Sequence, residues 1–130
     1  MGTYDEKVGE QFSVLCTRER GVAVVAAHGE LDVGSVPRLR QALEDVASEG
    51  APQVVADLSE LSFMDSSGLG LVIEQRNALQ ARGGQLWLVA SEGSGAARLL
   101  AMTELDGPFK LHADRASAVE EALESGGEDG

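Results

Sequence analysis

The stretch that most constrains the fold is residues 54–79, where an apolar run is followed by a polar junction and then by a helical pattern. The run 54–58 has the length of a buried strand. The apolar residues after the junction recur at helical spacing, at Leu69, Val72, Ile73 and Leu79. A strand, a turn and a helix in direct succession are a unit of α/β layer structures, so we expect a sheet with helices packed on it.

The junction contains Asp65, Ser66 and Ser67, three consecutive residues that favour a helix N-cap. With Asp65 as the cap, the two serines fall in the first turn, beside unpaired backbone N–H groups and the positive end of the helix dipole. A serine hydroxyl in that position is well placed to carry a phosphoryl group. Gly68 and Gly70 permit close packing against a strand or a partner, and the sequence does not distinguish these roles.

The rest of the chain alternates between strand and helix patterns. Four further strands are predicted at 12–16, 22–28, 85–90 and 109–113, the first two as a hairpin. Further helices are predicted from an N-cap at Ser35, at 96–102 and from a capping box of Ser117 and Glu120. The helix after Ser35 has an apolar face made by Val36, Leu39, Leu43, Val46 and Ala47.

These elements predict an α/β fold with a single-layer mixed, mostly parallel sheet that opens with a hairpin and is packed by about four helices. The chain has room for one hydrophobic core. We expect a single domain over 11–125, a flexible N-terminus at 1–10 and a flexible acidic tail at 126–130.

Composition limits the functions that this domain can have. The net charge of −12 disfavours binding to nucleic acid or to an anionic membrane. A single cysteine, Cys16, excludes an internal disulfide, and no Cys/His cluster indicates a metal or cofactor site. The sequence has no apolar run of membrane-spanning length and no N-terminal secretion pattern, so we expect a cytoplasmic protein.

Two other interpretations of the junction lack residues that they need. A serine hydrolase elbow requires glycine two residues before the nucleophile, where Ser66 has Met64, and both histidines fall within or beside apolar strands. A phospho-acceptor receiver domain would use Asp57, but the first strand ends in 16–18 without the required acidic pair. We interpret Asp57 instead as an acceptor of backbone N–H groups in a turn at 57–60.

Two segments carry a resemblance to a known family. Asp57-Leu58-Ser59, followed by the run from Phe63 to Gly70 with its Asp-Ser-Ser-Gly-Leu-Gly core, resembles the signature of the STAS family, in its bacterial anti-sigma factor antagonist branch. The resemblance covers roughly residues 12–124 in element order and includes the loop at 29–32. Two departures lie away from the motif: relatives often have a Ser-Pro helix start in place of 93–95, and 106–108 resembles additional loop.

The resemblance implies a phosphoserine switch that is not itself an enzyme. In that family the anti-sigma factor is a serine kinase that phosphorylates the first serine of the pair, which is Ser66 here. The unphosphorylated form would bind the kinase and release a sigma factor, and a phosphoserine phosphatase would reset the switch. The implied partner contacts are Asp32, Ser35, Asp65, Ser66, Ser67, Gly68 and Leu69.

A monomer is expected for such a small acidic domain. The alternative is a STAS subunit of a larger signalling scaffold or lipid-transport complex, in which Ser66 is not phosphorylated.

Overall fold

The computed structural model describes residues 12–102 and 111–128, with side chains up to residue 125. The elements in chain order are β1 Ser13–Glu19, β2 Val22–Leu31, α1 Val36–Ser48, β3 Gln53–Met64, α2 Ser66–Ala81, β4 Gln85–Val89, α3 Gly95–Ala101, β5 Leu111–His112 and α4 Arg115–Glu128. The strands form one sheet in the order β1-β2-β3-β4-β5. Strand β1 is antiparallel to β2, and the other neighbours are parallel. The predicted mixed, mostly parallel sheet is confirmed.

The opening hairpin turns more tightly than predicted. Strand β1 continues to Glu19, and only Arg20 and Gly21 lie between it and Val22. Both turn residues have positive φ, 54° and 89°, as a two-residue turn between twisted antiparallel strands requires. Residues 17–19 therefore belong to the strand and not to the turn.

The largest difference from the sequence prediction is the length of β3. A strand at 54–58 and a turn at 57–60 were expected, but the strand runs from Gln53 to Met64. The polar residues stay extended because β2 continues beside them to Leu31 and supplies backbone partners, with two register shifts along the pair. The prediction of a turn at 57–60 is wrong, and the longer strand carries the chain directly to α2.

Helices cover the two faces of the sheet unequally. Helices α1, α2 and α3 pack on the front face around the larger core, and α4 covers part of the back face. The back core is small and consists of Val22, Val24, Val55, Trp87, Val89, Ala118, Val119 and Ala122. The apolar face predicted for α1 is buried in full, at Val36, Leu39, Leu43, Val46 and Ala47.

The last elements differ from the prediction at their ends. Helix α4 begins at Arg115, and the backbone N–H of Ser117 donates to the Asp114 carboxylate at 2.8 Å, so the predicted capping box at Ser117 is wrong. Helix α4 runs to Glu128, past the predicted domain end at 125. The strand predicted at 109–113 is described only at Leu111–His112, because the earlier part lies outside the described residues. The segment 1–10 also lies outside them.

Candidate phosphoserine and partner-binding site

Ser66 is the first residue of α2 and is exposed. The residue before it, Asp65, has extended backbone and caps the helix as predicted. One oxygen of its carboxylate accepts from the backbone N–H groups of Ser67 at 2.8 Å and Gly68 at 3.4 Å. Because Asp65 supplies the cap, the Ser66 hydroxyl is not needed by the helix. Within the described part of the chain, its side chain makes no hydrogen bond.

The start of α2 is held against the end of β2. Leu31 pairs with Met64 in the sheet, and the backbone N–H of Asp65 donates to the carbonyl of Leu31 at 3.3 Å. A Cβ built on Gly68 would lie 2.7 Å from Cδ2 and 2.9 Å from Cγ of Leu31. Gly68 is therefore required for close packing. Around Gly70 the same test finds open space, so its exposed backbone is available to a partner.

The loop between β2 and α1 lies beside this helix start, because Asp32 directly follows Leu31. One carboxylate oxygen of Asp32 accepts from the N–H groups of Gly34 at 3.0 Å and Ser35 at 3.2 Å. The Ser35 hydroxyl donates to the carbonyl of Glu30 at 2.7 Å and accepts from the N–H of Asp32 at 3.0 Å. The loop is thus closed by its own side chains, and its position is fixed by the sheet.

Ser35 does not act as the helix cap that the sequence predicted. It stands at the N-cap position of α1, but its side chain makes no capping hydrogen bond. Its hydroxyl points back into the loop, and the residue is only 5% exposed. The competing partner is the carbonyl of Glu30 on β2, which the hydroxyl reaches at 2.7 Å.

The predicted contact residues differ in accessibility. Ser66 is exposed; Asp32, Asp65, Ser67 and Leu69 are half-buried; Ser35 and Gly68 are buried. Leu69 packs partly against the front core. Two exposed apolar side chains near the same surface were not predicted, Val33 at 77% and Phe63 at 48% exposed. The sequence could have indicated the exposure of Val33, because this apolar residue lies between Asp32 and Gly34 in a turn, where no neighbouring residue can bury it.

Asp57 lies outside this surface and has a structural role. It is 3% exposed, and its carboxylate accepts from the N–H and hydroxyl of Ser59 at 2.9 and 2.6 Å and from Arg115 at 2.8 Å. Burial would raise the pKa of Asp57, but the hydrogen bonds from Ser59 and then Arg115 outweigh it and hold the pKa below its ordinary value. The expected backbone acceptor role is confirmed, although within a strand.

Among the described residues, no group of three His, Cys, Asp or Glu side chains is arranged to hold a metal ion. None of the helices in that part of the chain is long and apolar enough to cross a membrane. The geometry is that of a small α/β domain that displays one serine at a helix start.

Comparison with known proteins agrees with the motif. The model of the STAS domain family matches residues 14–118, and the chain therefore belongs to the STAS domain family. The anti-sigma-B factor antagonist of Staphylococcus epidermidis is 36% identical over 97 residues, which cover 74% of this chain and 86% of that protein. The resemblance to the anti-sigma factor antagonist branch is confirmed.

Solved structures give the same assignment. An anti-sigma factor antagonist from Mycobacterium paratuberculosis has a TM-score of 0.78 and 28% identity, covering 87% of this chain and 95% of that one. The anti-sigma factor antagonist SpoIIAA in its unphosphorylated form has a TM-score of 0.65 and 25% identity, covering 88% and 98%. The Bacillus SpoIIAA in its phosphorylated form has a TM-score of 0.64 and 27% identity, covering 85% and 98%.

Proposed function

We propose that this STAS domain is an anti-sigma factor antagonist that binds an anti-sigma factor when Ser66 is unphosphorylated and is released when Ser66 is phosphorylated. The observation that carries the proposal is the exposed hydroxyl at the first residue of α2, left uncommitted by the Asp65 cap. The names of the relatives support the class of partner. In this scheme the anti-sigma factor is a serine kinase, this protein is its substrate, and a phosphoserine phosphatase restores binding.

Phosphorylation is expected to leave the fold intact. A phosphate carries about −1.5 to −2 charges, and near a helix N-terminus it stabilises the folded state by ~0.3–2 kcal/mol. Asp65 reduces this gain through repulsion, but the phosphate would be exposed to solvent, where such repulsion is screened. The domain therefore has no energetic reason to unfold or rearrange.

The same phosphate has a much larger effect at an interface. Desolvating a dianion that the partner does not match costs on the order of 3–5 kcal/mol. At about 1.4 kcal/mol per tenfold, binding weakens by roughly a hundredfold to several thousandfold. The carboxylates of Asp32 and Asp65 flank the same surface and add to the repulsion. The effect on binding outweighs the effect on folding, so the switch acts on the complex.

The surrounding residues have distinct proposed roles. Asp32 and the exposed Val33 lie in the loop after Leu31, and the exposed Phe63 lies three residues before Ser66, so these three residues would contact the partner. Ser35, Ser67, Gly68 and Leu69, which are buried or half-buried, would act through the shape of the loop and of the helix start. Mutations in the second group should therefore lower stability as well as binding.

The direct test is intact mass after incubation with the anti-sigma factor kinase and ATP. The wild-type protein should gain one phosphoryl group, and Ser66→Ala should gain none. Ser62→Ala is a matched control, because Ser62 is also an exposed serine near the end of β3 and should leave the gain unchanged. Equal phosphorylation of wild type and Ser66→Ala would refute the site. No phosphorylation together with stable incorporation into a larger complex would favour the scaffold function.

A further inference from the structure

A cleft at the opposite end of the sheet from Ser66 has no role in the proposed switch. It is a cavity of about 290 Å³ that lies between the hairpin turn, the start of β3 and helix α4. Its floor is apolar and is formed by Val22, Ala51, Pro52, Ala122 and Leu123. Val22 and Ala122 belong to the back core and Ala51 to the front core. The cleft therefore lies where the front core and the back core meet at the end of the sheet.

Two arginines complete the lining of this cleft. Arg18 and Arg20 line the cleft from the hairpin. Arg18 reaches Glu49 at 3.5 Å and Arg20 reaches Glu120 at 3.6 Å, and all four side chains are at least half exposed. Ion pairs this exposed contribute little to stability, so an incoming anion can take over the guanidinium groups at small cost.

The charge of these residues contrasts with that of the whole chain. The protein has only 10 Lys and Arg against 22 Asp and Glu, yet the two ionic side chains that line this cleft in the described part of the chain are both cationic. An arginine guanidinium matches the planar, two-oxygen geometry of a carboxylate. The cleft thus combines a head site for an anion with an apolar surface for a hydrocarbon chain.

We propose that this cleft binds a medium-chain aliphatic carboxylate, with its head on Arg18 and Arg20 and its chain on the apolar floor. The cavity, at about 290 Å³, is at the lower limit of small-molecule pockets, which are roughly 300–1,000 Å³, so a medium-length chain fits it better than a long one. An acidic peptide segment fits less well, because its backbone N–H and C=O groups would be left unpaired against the floor.

The cleft is connected to the single tryptophan of the chain. Gln53 lines the cavity, and its side-chain oxygen accepts from the indole N–H of Trp87 at 2.7 Å. A ligand that displaces or polarises Gln53 should therefore change the fluorescence of Trp87. This gives a readout that is independent of any partner protein and of Ser66.

The test is a titration of the full chain with octanoate, followed by Trp87 fluorescence and by amide chemical shifts. Binding should saturate, with shifts concentrated at Gly21, Gln53 and residues 122–123. Octanamide, which has the same chain without the charge, and acetate, which has the charge without the chain, should each bind at least about tenfold more weakly.

Variants locate the head site. Arg18→Gln with Arg20→Gln should weaken octanoate binding at least about tenfold. Arg40→Gln with Arg98→Gln, which removes the same charge from α1 and α3, should leave it unchanged. Equal binding of octanoate and octanamide, shifts that map to another surface, or octyl phosphate binding tenfold tighter than octanoate would overturn the proposal. Equal binding of acetate and octanoate would do so too, because the floor would then have no role.

Discussion

Replacing Ser66 with aspartate separates the effect of a negative charge on folding from its effect on binding. A carboxylate in the first turn of α2 gains ~0.3–1 kcal/mol from the helix dipole. Repulsion from the Asp65 carboxylate opposes this gain by up to about 1 kcal/mol, as for other exposed charge pairs. The two effects nearly cancel. Ser66 is exposed and its hydroxyl makes no hydrogen bond in the described structure, so its replacement removes no other stabilising contact. The free energy of unfolding should change by less than about 1 kcal/mol, or about 3–5 °C in Tm.

Binding of Ser66→Asp to the anti-sigma factor should fall much further than its stability. Aspartate carries one charge where phosphate carries nearly two, so the loss should lie near the lower end of the phosphoserine effect, about a hundredfold. Isothermal titration calorimetry of the two purified proteins measures this loss directly. Ser66→Ala should bind within about threefold of wild type, because it removes a hydroxyl and adds no charge.

The neighbouring residue provides the control for a structural effect. Asp65→Ala removes the carboxylate that accepts from Ser67 and Gly68 and should cost ~0.5–2 kcal/mol, or about 2–10 °C in Tm. Thermal unfolding followed by circular dichroism compares the two variants. A Ser66→Asp protein whose Tm falls by more than about 5 °C would refute the reasoning, since Ser66 would then be part of the fold.

Three further predictions test the surroundings of the site. Gly68→Ala should lower the free energy of unfolding by about 1–3 kcal/mol, because its Cβ would clash at 2.7 Å with Leu31. Gly70→Ala should raise the free energy of unfolding by about 0.5–1 kcal/mol, because the space around Gly70 is open and alanine favours a helix. Urea unfolding of both variants measures the two changes. Because the folded pKa of Asp57 is lowered, its stabilisation is complete above the unfolded pKa and is lost as pH falls through the folded pKa. Between about pH 6 and about pH 3, Asp57→Asn should therefore lose less stability than wild type in urea unfolding, and an equal loss would contradict the effect of Ser59 and Arg115 on the pKa of Asp57. Asp32→Asn keeps the oxygen that closes the loop but removes the charge, so calorimetry should show weaker anti-sigma factor binding with unchanged Tm.

Local patterns in the sequence were sufficient for much of the site. Asp65 was predicted as the cap because a short acceptor side chain precedes a helical apolar pattern, and it accepts the expected N–H groups. The buried face of α1 followed from spacing alone. Both depend on residues within one turn of each other, which a single sequence displays directly.

Features that depend on distant residues could not be predicted in the same way. The stretch 57–60 was predicted as a turn, and it is part of a strand because β2 lies beside it. The Ser35 hydroxyl could cap α1 or bond within the loop, and it donates to the carbonyl of Glu30 because of the path that β2 takes into the loop. Gly68 could serve close packing or contact with a partner, and the position of Leu31 shows that it serves close packing. In each case tertiary contact decides between local options of similar free energy.

The way in which the site is anchored determines what kind of switch it can be. The helix start is tied to the sheet by the bond from Asp65 to Leu31, and the adjoining loop is closed by bonds from Asp32 and Ser35. A phosphate on Ser66 would be attached to backbone that cannot move without breaking those hydrogen bonds, each of which contributes about 1 kcal/mol. Its charge therefore has to be met by solvent or by the partner. A surface fixed in this way favours control through repulsion at the interface over control through a change of fold.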